Sequence, residues 1–265
     1  MAKKILITGA GSGLGKGCAL GLATEGHQVI AAVELWSQVT LLRAEAQAAG
    51  LNTMNVIKLD VCDESDRTYV ERFDIDILVN NAGIGETGPI AEIPHERIRK
   101  VFEVNVFGSL ALAQLFAKKF VKRGSGKIVF VSSMAGVSTY PYLGPYNASK
   151  HALEAIAQCM ASELKEFGVQ VCTINPGAYR TGFNDRMYET FEHWYDPARN
   201  FTPEKPLREI QAAIAAPVGQ EDPQTMIDLM VKTIPAEHHK FRTMIPASVE
   251  QWCKDYQARI WDDEI

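Results

Sequence analysis

Short apolar runs alternate along this chain with longer segments in which apolar residues recur every three or four positions. The short runs predict strands, because near-continuous Val, Ile and Leu suit a parallel sheet that is buried on both faces. These strands are predicted at Lys4–Thr8, Gln28–Val33, Asn55–Leu59, Ile75–Val79, Lys127–Val131, Val169–Ile174 and Phe241–Ile245. Helices are predicted near residues 14–24, 37–49, 64–73, 95–123, 146–167 and 222–234. The alternation indicates an α/β fold, a doubly wound parallel sheet with helices on both faces.

Only one long stretch departs from this alternation. Residues 176–223 are rich in proline, glycine and aromatic residues and show weak periodicity. A long irregular segment after the carboxyl end of a strand is usually a binding loop or a lid, although a plain surface excursion would look similar. We therefore expect a substrate-binding lid at about residues 178–222. No repeat or low-complexity linker divides the chain, so residues 1–265 are predicted to form a single domain.

Composition narrows the class of protein. Of the 265 residues, 46% are hydrophobic and 22% are charged, and the formal net charge is -5. This balance is typical of a soluble globular protein. The absence of a basic stripe argues against nucleic acid. No apolar run reaches the roughly 18 residues of a membrane span, and the basic start is not followed by a signal-peptide core. Five scattered cysteines without a CxxC pair predict free thiols, and the histidine spacing predicts no metal site.

A glycine-rich turn follows the first predicted strand. The sequence from Thr8 to Gly15 reads TGAGSGLG and leads directly into a predicted helix. Glycines at this place let the backbone turn sharply and approach a pyrophosphate at the helix N-terminus. The spacing differs from the common GxGxxG pattern, so the signal depends on its position in a βαβ unit. The turn predicts a dinucleotide site.

An acidic residue ends the second predicted strand. Glu34 lies 19 residues after Gly15, close to the spacing at which a carboxylate meets the adenosine ribose. A carboxylate there accepts hydrogen bonds from the ribose hydroxyls and repels a 2′-phosphate. Glu34 therefore favours NAD over NADP. The alternative is a solvated charge at the end of a strand.

Three tyrosines and one lysine stand close together in the segment YPYLGPYNASK. Tyr146 and Lys150 are one helical turn apart, so their side chains share a face. A nearby ammonium favours the phenolate and lowers the tyrosine pKa, which suits a general acid or base. Tyr140 and Tyr142 have no lysine at this spacing. Ser133 follows the fifth predicted strand, where its hydroxyl can face a cleft beyond the sheet edge.

The ordered series of these motifs resembles the short-chain dehydrogenase/reductase family over roughly the first 180 residues. The motifs are TGAGSGLG, Asp60-Val61, Asn80-Asn81-Ala82-Gly83, Asn105, Ser132-Ser133, Tyr146-Asn147-Ala148-Ser149-Lys150 and Pro176-Gly177. The resemblance implies a Rossmann-type fold that binds NAD or NADP. It also implies a homotetramer or homodimer in the cytoplasm.

The resemblance also implies roles for individual residues. Tyr146 would be the general acid/base, Ser133 would orient the substrate oxygen, and Lys150 would bind the nicotinamide ribose and lower the Tyr146 pKa. Asn105 would hold a water in a proton relay; the alternative is a buried amide satisfied locally. The implied cofactor-binding residues, besides Glu34, Tyr146 and Lys150, are Gly9, Gly11, Ser12, Gly13, Leu14, Gly15, Asp60, Val61, Asn81, Ala82, Gly83, Pro176, Gly177 and Thr181.

Two features depart from the family pattern. The third helix is short, and Glu34 stands one position later than the frequent Asp. The substrate-binding residues follow from their positions after Ser133 and in the lid, although several aromatic residues there suit packing equally well. They are Met134, Tyr140, Tyr142, Tyr179, Phe183, Asn184, His193 and Trp194. In addition, Arg180 and Asn184 are expected to meet a carboxylate or hydroxyl of the substrate.

The leading prediction is an NAD-dependent oxidoreductase that acts on a secondary alcohol or ketone. An NADP-dependent ketoreductase is the nearest alternative. A sugar-nucleotide epimerase is disfavoured, since that branch of the fold typically has a TGxxGxxG turn and a larger substrate domain. A dinucleotide-sensing protein without catalysis is disfavoured because Ser133, Tyr146 and Lys150 are all present.

Overall fold

A computed structural model describes residues 1–216 and 219–264 of the chain. Seven parallel strands form one sheet in the order β3-β2-β1-β4-β5-β6-β7. Their bounds are β1 Lys4–Ile7, β2 Gln28–Val33, β3 Met54–Lys58, β4 Ile77–Asn80, β5 Gly126–Val131, β6 Val169–Ile174 and β7 Arg242–Thr243. The predicted α/β Rossmann-type fold is thus confirmed. The strand order reverses between β1 and β4, which creates a crevice at the carboxyl ends of the central strands.

The helices lie on both faces of the sheet. Their bounds are α1 Gly13–Thr24, α2 Trp36–Ala48, α3 Glu64–Glu71, α4 His95–Phe102, α5 Ser109–Arg123, α6 Gly144–Leu164, α7 Phe183–Glu189, α8 Glu204–Ala215, α9 Pro223–Thr233 and α10 Ala247–Arg259. Helix α3 is short, as predicted, and Asp63 caps it by accepting a hydrogen bond from the Asp66 amide at 2.9 Å. The sequence prediction missed α7, α8 and α10.

Alternating side chains of the strands build two separate cores. In β1, Ile5 and Ile7 face α1, α2 and α9, whereas Leu6 faces α5 and α6. This follows from the two-residue period of a strand, which sends neighbouring side chains to opposite faces. Phe116 and Phe120 of α5 are fully buried on the second face, and each contributes about 1.5–3 kcal/mol of burial energy.

The helical run from residue 95 to residue 123 contains a π-helical turn. Residues Glu103–Gly108 form this turn between α4 and α5. By length and composition alone this run of 29 residues is apolar enough to cross a membrane, contrary to the sequence-based expectation. The core helices of soluble proteins pass the same test, and α5 buries Leu112, Phe116 and Phe120 against the sheet. The run is therefore weak evidence for a membrane span.

The predicted lid is more regular than its composition suggested. It contains α7, a 3₁₀ turn at Thr190–His193 and α8, and it returns to the body of the protein through a bridge between Tyr179 and Glu221. Its residues 217 and 218 lie outside the described part of the chain. The lid has its own helices because α8 places Leu207, Ile210 and Ile214 on one face, where Leu207 is fully buried.

Candidate active site

The glycine-rich turn is fixed to the end of β4 by hydrogen bonds. The Thr8 hydroxyl accepts from the backbone amides of Asn81 and Ala82, each at 3.0 Å. The Asn81 side-chain amide donates to the carbonyls of Thr8 at 2.9 Å and Gly9 at 3.2 Å. The ends of β1 and β4 therefore share one edge. Thr8 was missed as a site residue, although its place directly after β1 was the available signal.

The glycines of the turn pack closely against the NNAG segment and the lid's first loop. Gly9 has a φ of 65° and Gly13 a φ of 56°, both in the left-handed region that favours glycine. A Cβ on Gly9 would lie 2.8 Å from the Cα of Ala82. A Cβ on Gly13 would lie 3.1 Å from the Cβ of Thr181. The structure thus brings together the predicted cofactor residues of the turn, of the NNAG segment and of the lid's first loop.

The adenosine end of this crevice is formed by β2 and β3. Glu34 follows β2 and is exposed. The Asp60 carboxylate, after β3, accepts from the Cys62 amide at 2.9 Å, while Val61 is buried against Gly108. Glu34, Asp60 and Val61 therefore lie at the carboxyl ends of adjacent strands, where the sequence predicted adenosine contacts. Gln38, which was not predicted, lies directly over Gly11.

A buried polar stripe runs along one face of α6. It consists of Tyr146, Lys150 and Glu154, which are spaced by one turn and are 8%, 4% and 3% exposed. The Lys150 Nζ lies 5.7 Å from the centre of the Tyr146 ring and donates a hydrogen bond to the Val131 carbonyl at 2.9 Å. The predicted Tyr146–Lys150 pair is thus adjacent. Glu154 was not predicted, although its spacing of four residues from Lys150 was visible.

Ser133 is held opposite this stripe, beyond the end of β5. Its Oγ accepts from the Ala135 amide at 3.1 Å and donates to the Pro176 carbonyl at 3.4 Å. The side-chain amide of Asn175 donates to the Ser133 carbonyl at 2.9 Å and to the Glu154 carboxylate at 2.6 Å. The stripe therefore supports Ser133 through Asn175, a residue that no sequence pattern singled out. Gly177 contacts Met134.

Burial decides the pKa values of the reactive pair. Desolvation raises the pKa of Tyr146 to about 12, and the neighbouring Ser133 hydroxyl only partly opposes this. Desolvation lowers the pKa of Lys150 to about 8, and the Glu154 carboxylate partly opposes this. We expected Lys150 to lower the Tyr146 pKa. In this structure the net direction is the opposite, because the phenol lies in a buried, mostly apolar environment.

The Asn105 amide is satisfied by neighbouring groups of the protein. Its Oδ1 accepts from the Ile84 amide at 2.8 Å, and its Nδ2 donates to the Ile84 carbonyl and to the Ser149 hydroxyl, each at 2.9 Å. Both N–H donors of the amide are thus used. This is the local satisfaction that the sequence left open as the alternative to a water relay. Asn105 joins the π-helical turn to α6 and to the segment after β4.

The residues present fit a nicotinamide ribose beside Lys150. An ammonium has three N–H donors. Within residues 1–216 and 219–264, the buried Lys150 ammonium donates a hydrogen bond to the Val131 carbonyl alone. The Nζ also lies 3.6 Å from the point that a Cβ on Gly83 would occupy. A ribose with two hydroxyl groups supplies the acceptors that this ammonium requires. The buried ammonium and the bare backbone of Gly83 thus fit the nicotinamide end that the sequence predicted.

The lid covers Tyr146 with apolar side chains. The Phe183 ring lies 5.7 Å from the Tyr146 ring, centre to centre, at an angle of 51°. Phe183 belongs to an apolar cluster around the phenol, which we call the Tyr146 cluster. Its members are Ala135, Leu143, Tyr146, Met187 and Tyr188, with Tyr140, Phe183, Ile210 and Ile214 packed against them. Of the substrate residues predicted in the lid, Phe183 is the one that the structure brings to Tyr146.

Three other lid residues are either bonded to protein groups or exposed, and their predicted substrate contacts stay predictions. Tyr179 is buried in the sheet core, and its hydroxyl donates to the Ile245 carbonyl at 3.0 Å. The Asn184 side chain donates to the Gln220 side chain at 2.9 Å. His193 is exposed. Tyr179 thus holds the lid to the body of the protein, whereas Asn184 joins two parts of the lid.

The tyrosines before Tyr146 occupy two different environments. Tyr140 packs against the Tyr146 cluster but is stacked on Trp252 of α10, with ring centres 5.5 Å apart. Tyr142 lies outside the Tyr146 cluster. It lines a cavity of about 470 Å³ together with Tyr140, Asn147 and His151. The prediction that Tyr142 contacts substrate stays a prediction.

Met134 lies beside the site rather than in the lid. It packs with Val137, Met244 and Cys253, and its sulfur is 3.7 Å from the point that a Cβ on Gly177 would occupy. Its position next to Gly177 keeps it near the predicted nicotinamide residues. The prediction that Met134 contacts substrate stays a prediction.

Trp194 connects the lid to the loop after β4. Its indole N–H donates to the Glu86 carboxylate at 3.1 Å, and its ring packs on Gly88. The other oxygen of Glu86 pairs with Arg97 of α4 at 3.3 Å. Glu86 is only 5% exposed, and both oxygens of its carboxylate have a side-chain partner. Trp194 is thus an anchor of the lid, and the prediction that it contacts substrate stays a prediction.

Comparisons with known proteins agree with this geometry. A family model described as short chain dehydrogenase matches residues 3–191. The diacetyl reductase [(S)-acetoin forming] of Staphylococcus epidermidis is 36% identical over 197 residues, which cover 71% of this chain and 76% of that protein. A structure of a putative NAD(P)-dependent gluconate 5-dehydrogenase from Beutenbergia cavernae with bound NADP at low occupancy has a TM-score of 0.71 and 29% identity, with 87% and 89% of the two chains covered.

A further solved structure supports the fold alone. A short-chain dehydrogenase/reductase from Burkholderia phymatum in complex with NAD has a TM-score of 0.81 and 24% identity, and the match covers 100% of this chain and 98% of that one. The two neighbouring structures contain different dinucleotides, NADP in one and NAD in the other. The comparisons therefore support binding of NAD(P) by the family and leave the choice between the two forms open.

Proposed function

Since the chain belongs to the short-chain dehydrogenase family of oxidoreductases, we propose that it is an NAD-dependent enzyme that interconverts a secondary alcohol and its ketone. The observation that carries this proposal is the buried Tyr146–Lys150 pair on one face of α6, with Ser133 held opposite it. A phenol, an ammonium and a hydroxyl at the carboxyl ends of the sheet form a set suited to proton transfer beside a dinucleotide.

Each of these side chains has a distinct role in the proposed reaction. The nicotinamide, when bound, donates or accepts a hydride at its C4. In the reductive direction the Tyr146 Oη gives its proton to the carbonyl oxygen as that oxygen gains negative charge. The Ser133 Oγ donates a hydrogen bond to the same oxygen and holds it beside Tyr146. The Lys150 Nζ binds the ribose hydroxyls and stabilises the phenolate that remains.

Burial favours the protonated form of Tyr146. Burial raises the pKa of Tyr146 to about 12, so the phenol is protonated near neutral pH. A protonated phenol is ready to act as an acid toward a ketone. The oxidative direction requires the proton to leave Tyr146 first, and Lys150, with a pKa of about 8, supplies the nearest positive charge.

The preference for NAD is supported by the charges at the adenosine end. Glu34 places an exposed carboxylate at the end of β2. The basic residues near this end are engaged with other groups: Lys16 pairs with Glu45 at 3.1 Å, Arg43 donates to the Val56 carbonyl at 2.8 Å, and Lys58 pairs with Asp66 at 2.5 Å. A 2′-phosphate at this place would meet a carboxylate, and each of these three basic groups already has a protein partner. An NADP-dependent ketoreductase is the alternative.

Activity and substitution at Tyr146 test the proposal together. Purified protein is assayed with NADH or NADPH against a panel of ketones and, in reverse, with secondary alcohols. Tyr146→Phe should lower kcat at least about 1,000-fold, because it removes the proton that general acid catalysis supplies and alters the position of the carbonyl oxygen. Tyr69→Phe, at an exposed tyrosine of α3, is the matched control and should retain the wild-type kcat. Turnover that survives Tyr146→Phe would exclude Tyr146 as the acid.

A homotetramer or homodimer and a cytoplasmic location remain further predictions for this chain. Light scattering of the purified protein measures its mass against the 29.3 kDa of one chain. A monomer at assay concentration would contradict the first prediction.

A further inference from the structure

Apolar side chains surround the reactive phenol. In the Tyr146 cluster, Met187 and Tyr188 are 4% and 7% exposed, and Leu143 is 5% exposed. Ile210 and Ile214 of α8 pack against these residues from the lid. None of the members of the cluster carries a charge near neutral pH; the phenols of Tyr146, Tyr140 and Tyr188 are kept protonated by burial, which raises the pKa of each to about 12.

Two polar side chains of the lid, those of Arg180 and Asn184, have partners outside the Tyr146 cluster. The Arg180 guanidinium donates to the Gln220 carbonyl at 2.7 Å and approaches Asp222 at 4.0 Å. The Asn184 side chain donates to the Gln220 side chain. Arg180 and Asn184 were the side chains expected to meet a substrate carboxylate or hydroxyl. Both are instead committed to the junction between the lid and the start of α9.

Tyr188 is the one polar tip in the cluster besides Tyr140 and Tyr146. It follows Met187 in α7, and its phenol is near enough to Tyr146 to raise the pKa of that residue. A protonated phenol offers one hydrogen bond donor and one weak acceptor, which suits a neutral oxygen and does not neutralise an anion.

We propose, on the basis of the function given above, that the substrate is a neutral ketone or secondary alcohol with a bulky apolar substituent, a long alkyl chain or a ring. The carbonyl oxygen lies against Ser133 and Tyr146, and the apolar substituent lies between α6 and the lid against Met187, Ile210 and Ile214. Keto acids and polyhydroxylated ketones are poor substrates, because their polar groups lose water in the cluster without gaining partners.

A series of methyl ketones tests the apolar part of the proposal. Butan-2-one, hexan-2-one, octan-2-one and decan-2-one differ only in the number of methylene groups. We expect kcat/KM to rise by about fourfold for each methylene that becomes buried, until the space is filled. Fructose and 9-oxodecanoate, a keto acid of the same chain length as decan-2-one, should be at least about tenfold poorer than decan-2-one. A flat series, or a preference for either polar compound, would overturn the proposal.

Substitution of Ile210 tests the place of the substituent. Ile210→Arg should lower kcat/KM for decan-2-one and raise that for 9-oxodecanoate, so that the ratio of the two changes by at least about tenfold. Ala212→Arg adds the same charge to the exposed face of α8 and should leave the ratio unchanged. Ile210→Ala introduces no buried charge and should lower the rise in kcat/KM for each added methylene. An unchanged ratio in Ile210→Arg and an unchanged gain in Ile210→Ala would place the substituent elsewhere.

The two proposals fail in different ways. If none of the ketones is reduced with NADH or NADPH, or if reduction survives Tyr146→Phe, the proposed function is wrong. If reduction depends on Tyr146 but favours fructose or the keto acid, the proposed function stands and the apolar substrate class is wrong.

Discussion

The carboxylate of Glu154 accepts a hydrogen bond from the side-chain amide of Asn175 at 2.6 Å, and both residues are buried. The same Asn175 amide donates to the Ser133 carbonyl, and the second oxygen of Glu154 pairs with Arg242 at 2.6 Å. A residue one helical turn beyond Lys150 thus supports the backbone of Ser133. Since Ser133 is proposed to hold the substrate oxygen, Glu154 is a positioning residue for the reaction.

Glu154→Gln should lower kcat about tenfold with little change in the KM of the cofactor, since it shifts Ser133 relative to Tyr146. It should also cost about 3 kcal/mol of unfolding free energy, because the Arg242 guanidinium loses its charged partner. Steady-state kinetics and urea unfolding measure the two effects. Glu163→Gln, at an exposed position of the same helix, is the control. A loss of stability without a loss of kcat would leave Glu154 with a structural role only.

The buried ammonium of Lys150 predicts a pH-dependent contribution to stability. Its pKa is about 8 in the folded chain and about 10.5 when exposed. Between these values the unfolded chain binds more protons than the folded one, so this contribution to the unfolding free energy rises with pH. It is greatest above about pH 10.5 and is lost as the pH falls through 8.

The difference in unfolding free energy between wild type and Lys150→Met isolates this effect. It should shift in favour of the wild type by about 1 kcal/mol for each pH unit from pH 8.5 to 9.5. Urea unfolding at pH 7.5, 8.5 and 9.5 measures it, and Lys165→Met, at an exposed lysine after α6, should show no such trend. A constant difference for Lys150→Met would mean that Lys150 keeps its ordinary pKa.

Glu34 should determine the choice between the two dinucleotides. We expect the wild type to bind NADH at least about tenfold more tightly than NADPH, because the carboxylate repels a 2′-phosphate. Glu34→Gln should reduce this preference by several fold, mainly by improving the binding of NADPH. Fluorescence titration of each dinucleotide measures the four affinities. Glu25→Gln, at another exposed glutamate, should change none of them; tighter binding of NADPH by the wild type would contradict the assignment of Glu34.

The contact of Glu86 with Trp194 should hold the lid closed. Trp194→Phe removes the indole N–H that donates to Glu86 and leaves the buried carboxylate with Arg97 as its remaining side-chain partner. We expect faster tryptic cleavage after Arg199 in the lid and a higher KM for the ketone, because local opening becomes easier. Mass spectrometry of timed digests follows the cleavage.

Two controls separate opening of the lid from general unfolding. Trp261→Phe alters an exposed tryptophan and should cleave at the wild-type rate. Urea unfolding of Trp194→Phe should show a loss of global stability that is too small to explain its faster cleavage. Equal cleavage rates in Trp194→Phe and wild type would show that this hydrogen bond does not restrain the lid.

The fold and the reactive pair could be read from the chain because both depend on short-range periodicity. Strands β2 and β6 have the bounds that their apolar runs predicted, and the turn of helix between Tyr146 and Lys150 places their side chains on one face wherever α6 forms. The ordered motifs, from the glycine-rich turn to Pro176-Gly177, indicated the family, which the comparisons confirm. These features need no knowledge of what packs against them.

The lid and the electrostatics of the site depended on tertiary contacts. Whether Tyr179 and Asn184 contact a substrate or other groups of the protein depends on Ile245 and Gln220, which lie far away in the sequence. The direction in which the Tyr146 pKa shifts also depends on burial by residues of α7 and α8. The weak periodicity of the sequence did not reveal these two helices. The sequence by itself determined which groups share a helix face or a strand end, because local geometry is set by neighbouring residues. Only the tertiary structure decided which of them are buried and with what partners, because burial and pairing are properties of distant segments brought together.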